Sequence, residues 1–278
     1  MTGKLYLCAT PIGNLNDMTF RVLETLKEVD LIAAEDTRNS IKLLNHFDIH
    51  TPMTSYHEYN KIEKAEVLIA QMQAGKNVAL ITDAGTPAIS DPGEVLVAMC
   101  QQAGITVTSL PGPAACITAL TLSGLPTRRF CFEGFLPSDK KEKKAVLEEL
   151  SGESRTMILY EAPHHLVRTL EELKVVLGDR KISICRELTK KFETVFPTTL
   201  CGALEYYEQN EPRGEYVLVI QGKSLAEKRE EEKEGWQQLT VEEHMAHYEE
   251  QGISRKEAMK LVAKDRGVSK RDIYQQLL

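Results

Sequence analysis

Short apolar runs alternate with stretches of helical periodicity along most of the chain. Residues 5–9 form an apolar run closed by Pro11 and Gly13, and residues 20–29 carry apolar positions at helical spacing. Leu31–Ala34 is a second run, closed by Glu35 and Asp36, with Thr37 placed to cap a helix. Lys61–Gln73 reads as an amphipathic helix ending at Gly75. Residues 78–82 predict a strand, 94–102 a helix ended by Gly104, 107–110 a strand and 114–122 a helix ended by Gly124. Such alternation predicts an open, largely parallel sheet with helices on its faces. A second α/β unit follows, with strands predicted at Phe130–Phe135, 157–160, 182–185, 193–199 and Tyr216–Ile220. Between them lie a charged helix at 140–150 and a helix over Leu166–Leu177 ended by Gly178. Pro197 lacks an N–H to donate, so its strand belongs at a sheet edge or carries a bulge. The fold class is therefore α/β, with domains at 1–125 and 126–222. A charged linker at 223–238 precedes a small helical module at 239–278.

The 278 residues are 42% hydrophobic and 27% charged, an ordinary globular balance. The formal net charge of −7 argues against coating nucleic acid by bulk charge. A local patch remains open, because residues 254–278 hold seven Lys/Arg against three Asp/Glu while residues 223–253 hold four against nine. No apolar run approaches the roughly 18 residues a membrane span needs, and the amino-terminal residues carry no secretory pattern. The six cysteines include no closely spaced pair, so they read as buried small hydrophobes in a reducing cytoplasm.

Candidate chemistry concentrates beyond the predicted strand ends, where open α/β sheets bind ligands. Three Gly/Pro-rich turns stand there: Thr10-Pro11-Ile12-Gly13, Asp83-Ala84-Gly85-Thr86-Pro87 and Pro111-Gly112-Pro113-Ala114-Ala115. Together they offer exposed backbone with few bulky side chains, which suits a flat ligand read through its amide-like edges, such as an adenosine. Read alone, each is equally a tight turn. A dinucleotide fingerprint, a P-loop, a nucleophile elbow and a zincin motif are all missing. His164 and His165 are adjacent, and His244 and His247 have no third ligand at metal spacing, so no metal site is expected.

These loops also carry a resemblance. Thr10-Pro11-Ile12-Gly13-Asn14-Leu15, Ala34-Glu35-Asp36-Thr37-Arg38, Asp83-Ala84-Gly85-Thr86-Pro87, Asp91-Pro92-Gly93, Pro111-Gly112-Pro113, Tyr160-Glu161-Ala162-Pro163-His164 and Arg186-Glu187-Leu188-Thr189-Lys190 occur in this order. Together they resemble the tetrapyrrole methylase superfamily, and within it the branch of small-subunit ribosomal RNA methyltransferases, from about residue 4 to 222. The helical tail is similar too. The resemblance implies an S-adenosylmethionine-dependent transferase whose target is the 2′-hydroxyl of a cytidine in the decoding region of 16S rRNA. It implies two α/β domains with the cofactor in the cleft between them, usually in a homodimer. By motif, cofactor contacts fall on Pro11, Ile12, Gly85, Thr86, Ile89, Ala114, Ala115, Tyr160, Glu161 and Leu188. Pro11 stands where many tetrapyrrole enzymes carry glycine, which favours the RNA branch.

A sulfonium methyl needs in-line alignment, and a ribose hydroxyl profits from a base or hydrogen-bond acceptor. Glu35 and Arg38 at one predicted strand end, and Glu187 and Lys190 at another, are the catalytic candidates, with Asp36 beside the first pair. Lys190 serves as a base only if its pKa is lowered. Alternatively Arg38 holds phosphate and Glu187 pairs with Arg186. The tail, with Ser254 and Ser269 as caps and Gly267 as a stop, resembles a helix-turn-helix. It fits either rRNA phosphate contact or a packing role. Lys140, Lys141, Lys143 and Lys144, near Arg128 and Arg129, are a second candidate patch or a solvated helix face. A methyltransferase acting on a tetrapyrrole-like small molecule, or a non-catalytic RNA-binding relative, are the competing readings.

Overall fold

The computed structural model describes residues 2–224, 226, 227, 230, 235, 236 and 239–277. The chain divides into two compact units, one of residues 1–150 and 156–221, the other of residues 151–155 and 222–278.

The first unit holds two five-stranded sheets. In the first, β1 (Lys4–Cys8), β2 (Leu31–Ala34), β3 (Met53–Ser55), β4 (Val78–Ile81) and β5 (Thr106–Leu110) lie in the order β3-β2-β4-β1-β5. All its pairings are parallel. Helices cover both faces, which is why the central strands read as unbroken apolar runs rather than as alternation. Leu5, Leu7, Val78 and Leu80 face one core, shared with Leu68 and Met72 of α3 (Lys61–Gln73) and Leu96 of α4 (Gly93–Gln102). Cys8, Ala79 and Ile81 face the other, shared with Val22 and Leu26 of α1 (Phe20–Glu28) and Leu44 of α2 (Thr37–His46). The cap of α2 is Asp36, not Thr37: the Asp36 carboxylate accepts from Arg38 N at 2.8 Å. The three residues of β3 carry no apolar run and gave no pattern to read.

The second sheet comprises β6 (Phe130–Phe135), β7 (Thr156–Glu161), β8 (Lys181–Arg186), β9 (Thr194–Thr199) and β10 (Tyr216–Ile220), in the order β6-β7-β10-β8-β9. Only β6 and β7 are parallel. Pro197 does sit on an edge strand, β9, where its missing N–H costs no ladder bond. One face packs on α6 (Lys140–Ser151), α7 (Leu166–Leu177) and α8 (Leu200–Gln209) through Leu147, Leu150, Leu170, Leu173 and Leu200. Helix α8 carries a full Leu200, Ala203, Leu204, Tyr207 stripe that the sequence reading does not include, Gly202 in its first turn being a poor helix former. The other face packs on α5 (Ala115–Leu122), through Cys116, Ala119 and Leu120 against Ile158, Val217 and Val219. Because α5 follows directly from β5, this core ties the two sheets together. Ile12 and Leu188, each from a loop of a different sheet, complete it.

The second unit contains α9 (Val241–Glu250), α10 (Arg255–Arg266) and α11 (Lys270–Gln276) around Val241, Met245, Ala258, Val262 and Ile273. Ser254 and Ser269 cap α10 and α11, and Gly267, at φ +66°, ends α10 in the left-handed region. Arg255, Lys256, Lys260 and Lys264 are exposed, whereas Arg266 turns inward and donates to the Leu239 and Thr240 carbonyls. The charged stretch 223–238 falls largely outside the described residues. Among the described residues no helix is long and apolar enough to cross a membrane.

Candidate functional site

The carboxyl ends of β1, β4 and β5 open on one cleft, and their loops are fastened to each other before any ligand is considered. Thr10 and Gly85 exchange two backbone hydrogen bonds, Thr10 N to Gly85 O at 2.9 Å and Gly85 N to Thr10 O at 3.0 Å. The Thr10 hydroxyl also donates to Thr82 O at 3.0 Å. Thr86 Oγ1 donates to Pro113 O at 2.9 Å, which joins the second loop to the third. Further along, Asp91 accepts from Ala88 N at 2.8 Å and from Gly93 N at 2.9 Å, so one carboxylate shapes the whole 88–93 turn. Gly85 has φ +87°, and a Cβ there would lie 3.3 Å from Ile12 Cγ2 and 3.5 Å from Pro113 O. The wall is bare backbone at that point because only glycine both turns and leaves the space.

The resulting cavity is about 420 Å³, within the range of ligand sites. Its walls include Ile12, Gly85, Thr86, Ile89, Ala114, Ala115, Tyr160, Glu161 and Leu188. All the expected cofactor contacts thus face it except Pro11, which does not line it. The opposite wall comes from the second sheet. Tyr160 accepts a hydrogen bond from Cys116 N at 3.1 Å, linking β7 to the start of α5. Its ring meets Phe132 and Phe135 edge-on, with centroids 4.9 and 5.6 Å away. Burial, together with the nearby Cys116 thiol, raises the Tyr160 pKa, so its hydroxyl stays protonated. Glu161 is buried and satisfied, accepting from Ala162 N at 2.8 Å and from Thr169 Oγ1 at 2.6 Å. Its first duty is therefore to hold the 161–166 turn.

The four catalytic candidates form two separate pairs. Glu35 lies on the cleft wall and accepts from Thr82 Oγ1 at 2.5 Å. Arg38 does not line the cleft. It forms a two-pronged pair with Asp36, at 3.1 and 2.8 Å, in an adjoining hollow that also has Glu35 on its wall. That pair pulls the Asp36 pKa down to about 2.

Glu187 and Lys190 line neither cavity and brace the loop that presents Leu188. Lys190 Nζ reaches Glu187 at 3.0 Å and Glu215 at 2.8 Å, and Glu187 also accepts from Glu215 N at 3.0 Å. The ion pair of Glu187 is thus with Lys190, not Arg186. Burial alone would lower the Lys190 pKa, but its two carboxylates outweigh that and raise it. Lys190 is therefore held protonated, the reverse of what a base requires. Glu187 and Thr189, at φ +53° and +64°, flank Leu188 in the left-handed region. Non-glycine residues rarely adopt that conformation, and the loop is held in it by Lys190 and Glu215 around Glu187 and by the Glu193 carboxylate, which accepts from Thr189 N at 2.6 Å. A Cβ on Gly13 would come within 2.4 Å of Lys190 Cγ and 2.9 Å of Leu188 O, so the loops of the two sheets touch.

Several wall residues lie outside the expected cofactor and catalytic sets, although Asp83 opens the second Gly/Pro-rich turn. Asp83 is the first: it follows β4, accepts from Asp36 N at 3.3 Å and lies beside Glu35. Burial raises its pKa, against the hydrogen bond from Asn39 and with help from the Glu35 charge. Its position immediately after a strand was the available signal. Phe135, Glu215, Tyr216 and Val217 also line the cleft. Burial pushes the Cys8, Cys100 and Cys185 thiols up to about 12, 11 and 11, which makes them inert as nucleophiles. Among the described residues, no three His, Cys, Asp or Glu side chains group so as to hold a metal ion.

Residues 4–203 match the Tetrapyrrole (Corrin/Porphyrin) Methylases. The chain belongs to this family. Among its relatives, the ribosomal RNA small subunit methyltransferase I of Halalkalibacterium halodurans is 50% identical over 272 residues, which span 98% of this chain and 93% of that one. The protein of the same description from Bacillus subtilis is 48% identical over 272 residues, again 98% of this chain and 93% of that one. The methylase fold is shared with solved structures at much lower identity. Diphthine synthase superposes with a TM-score of 0.62 at 15% identity, covering 80% of this chain and 91% of that one. The uroporphyrin-III-C-methyltransferase of Thermus thermophilus gives 0.56 at 18%, covering 78% and 94%.

Proposed function

We propose that the protein is an S-adenosylmethionine-dependent methyltransferase of small-subunit ribosomal RNA, acting on the ribose 2′-hydroxyl of a cytidine in the decoding region. We further propose that it works as a cytoplasmic homodimer. The observation that carries the reading is identity near one half, sustained over 98% of the chain, with relatives described as ribosomal RNA small subunit methyltransferase I. The likeness to a uroporphyrin methyltransferase is confined to 18% identity and speaks only for the fold.

The cleft suits the cofactor. Gly85, Ala114 and Ala115 leave backbone open to an adenosine edge, and the Phe135 and Tyr160 rings supply an apolar face. Ile12, Gly85, Thr86, Ile89, Ala114, Ala115, Tyr160, Glu161 and Leu188 are its proposed holders. When bound, the cofactor supplies a methyl group already activated by its sulfonium. The chain's own task is to bring the hydroxyl into line and accept its proton. Glu35 and Asp83 are the acceptors best placed for this, since both line the cleft and Glu35 also lines the adjoining hollow. Lys190 and Glu187 act one step back and, with Glu215 of the cleft wall, hold Leu188 against the first loop.

Labelled cofactor offered with small ribosomal subunits, free rRNA or a porphyrinogen tests the reading. Label is expected on the ribose of one cytidine. Label on the porphyrinogen alone overturns it. In single-turnover assays, Glu35→Gln and Asp83→Asn should slow transfer while leaving cofactor affinity unchanged, and general-base assistance is worth about 100- to 10,000-fold. Rates within a few-fold of the parent in both variants would remove these carboxylates from the mechanism.

A further inference from the structure

Beside the cleft lies a second hollow of about 420 Å³, formed where β2 and β3 end side by side. Arg38, Ser55, His57, Glu58 and Tyr59 line it, and Glu35 is common to its wall and to that of the cleft. None of Ser55, His57, Glu58 or Tyr59 belongs to the cofactor motifs.

Two of these side chains are displayed rather than packed. The Arg38 side chain is 88% exposed, yet Asp36 fixes its orientation through two hydrogen bonds. Tyr59 is 97% exposed, and its ring stands edge-on to His57 with centroids 6.1 Å apart. So exposed a ring buries almost nothing in the fold, and its removal from water would be favourable. The acidic groups nearby are largely neutralised: Asp36 by Arg38, and Glu58 by Lys61 at 2.5 Å. Glu35 is left at the junction with the cleft, with Asp83 beside it and also within electrostatic reach of Arg38. An oriented guanidinium and a bare aromatic ring on the wall of one hollow are the chemistry that receives single-stranded nucleic acid, the cation for phosphate and the ring for a base. In a chain of net charge −7 such attraction is confined to local points, and this hollow is one of them.

We infer that this hollow seats a nucleotide of the single-stranded RNA target, with its base stacked on Tyr59 and its phosphate on Arg38. The strand is then delivered to Glu35 at the mouth of the cofactor cleft. This rests on the proposed RNA methyltransferase function and goes beyond it by assigning substrate contacts to residues outside the cofactor loops.

The test compares the parent protein with Tyr59→Ala, Tyr59→Phe and Arg38→Ala for methyl transfer to small ribosomal subunits and to free rRNA. Cofactor affinity by calorimetry and melting temperature are measured alongside. Stacking of one base predicts a rise of about tenfold in KM for RNA in Tyr59→Ala, with cofactor affinity and melting temperature unchanged. Tyr59→Phe keeps the ring and should behave like the parent. Arg38→Ala should raise KM and flatten the dependence of RNA binding on salt. A KM within twofold of the parent in Tyr59→Ala, or Tyr59→Phe as impaired as Tyr59→Ala, overturns the inference while parental transfer to RNA persists. Absence of any parental transfer to RNA overturns the proposed function itself, and this inference with it.

Discussion

Replacing Gly85 by alanine separates two roles that one backbone position combines. The residue has φ +87°, and both its N–H and C=O are tied to Thr10, so the turn cannot relax without breaking the bridge between the first and second loops. Holding an L-residue in the left-handed region costs about 1–2 kcal/mol. The added Cβ would stand 3.3 Å from Ile12 Cγ2, a contact that a small shift of the isoleucine relieves. Against a total stability of about 5–15 kcal/mol the variant stays folded, and its melting temperature should fall by about 2–8 °C. The methyl group also stands where the cleft wall is bare backbone, so S-adenosylmethionine affinity should drop by about tenfold or more. Gly104→Ala is the matched control. Gly104 has φ +68°, and a Cβ there meets no heavy atom within 4 Å. It carries the same kind of strain outside the cleft and should lower the melting temperature without touching cofactor affinity. Calorimetric titration and thermal melts on both variants read the two effects apart. Equal cofactor affinity in Gly85→Ala and the parent, with the melting temperature lowered, would show that Gly85 serves the turn alone and refute the backbone-wall argument.

The remaining predictions concern pH, the Leu188 loop and the helical unit. Burial raises the Asp83 pKa, so the folded state holds that proton more tightly and loses stability as pH rises through the folded pKa. Asp83→Asn should therefore melt above the parent at pH 7, with the difference vanishing well below pH 4; an unchanged difference would refute the assignment. His244 is 0% exposed and its pKa is lowered, first by burial and then by Arg266, so protonation favours the unfolded chain and stability of the helical unit falls as pH drops below about 6.5. The single tryptophan, Trp236, stacks on His244 at 3.9 Å, and its fluorescence should report that loss in a pH titration that His244→Gln abolishes. Gly214→Ala would place a Cβ 2.6 Å from Glu187 Cγ at φ +83°, displacing the brace of the Leu188 loop; cofactor affinity should weaken with little change in KM for RNA. Truncation after Ser224 keeps the Lys223 N to Glu153 O bond at 2.7 Å and should leave the two-sheet unit folded, by circular dichroism, with cofactor binding intact and RNA affinity reduced.

The sequence by itself determined the strand–helix alternation, the three Gly/Pro turns and the capped helical tail, because each depends on residues within one or two turns of each other. Ser254 and Ser269 cap helices through bonds to backbone three residues away, and such bonds are written in local order, whereas the structure alone chose Asp36 over the adjacent Thr37 as the cap of α2. The walls built at the ends of β1, β4 and β5 were legible for the same reason: in a parallel sheet, every strand end that carries a loop points the same way. The second sheet obeys no such rule. β10 runs antiparallel to β7, so its first residues, Tyr216 and Val217, lie beside the last ones of β7, Glu161 and Tyr160, and join the wall from the amino end of a strand. No pattern in the sequence distinguishes that end from any other. Tertiary structure alone also decided the charges. Glu187, Lys190 and Glu215 come together across 28 residues, and only their geometry makes Lys190 a permanent cation instead of a base. Asp83 looks like any turn aspartate until burial and Glu35, 48 residues away, bear on its carboxyl. Periodicity records which face a residue turns inward; the dielectric and the partners it meets there are properties of the assembled fold.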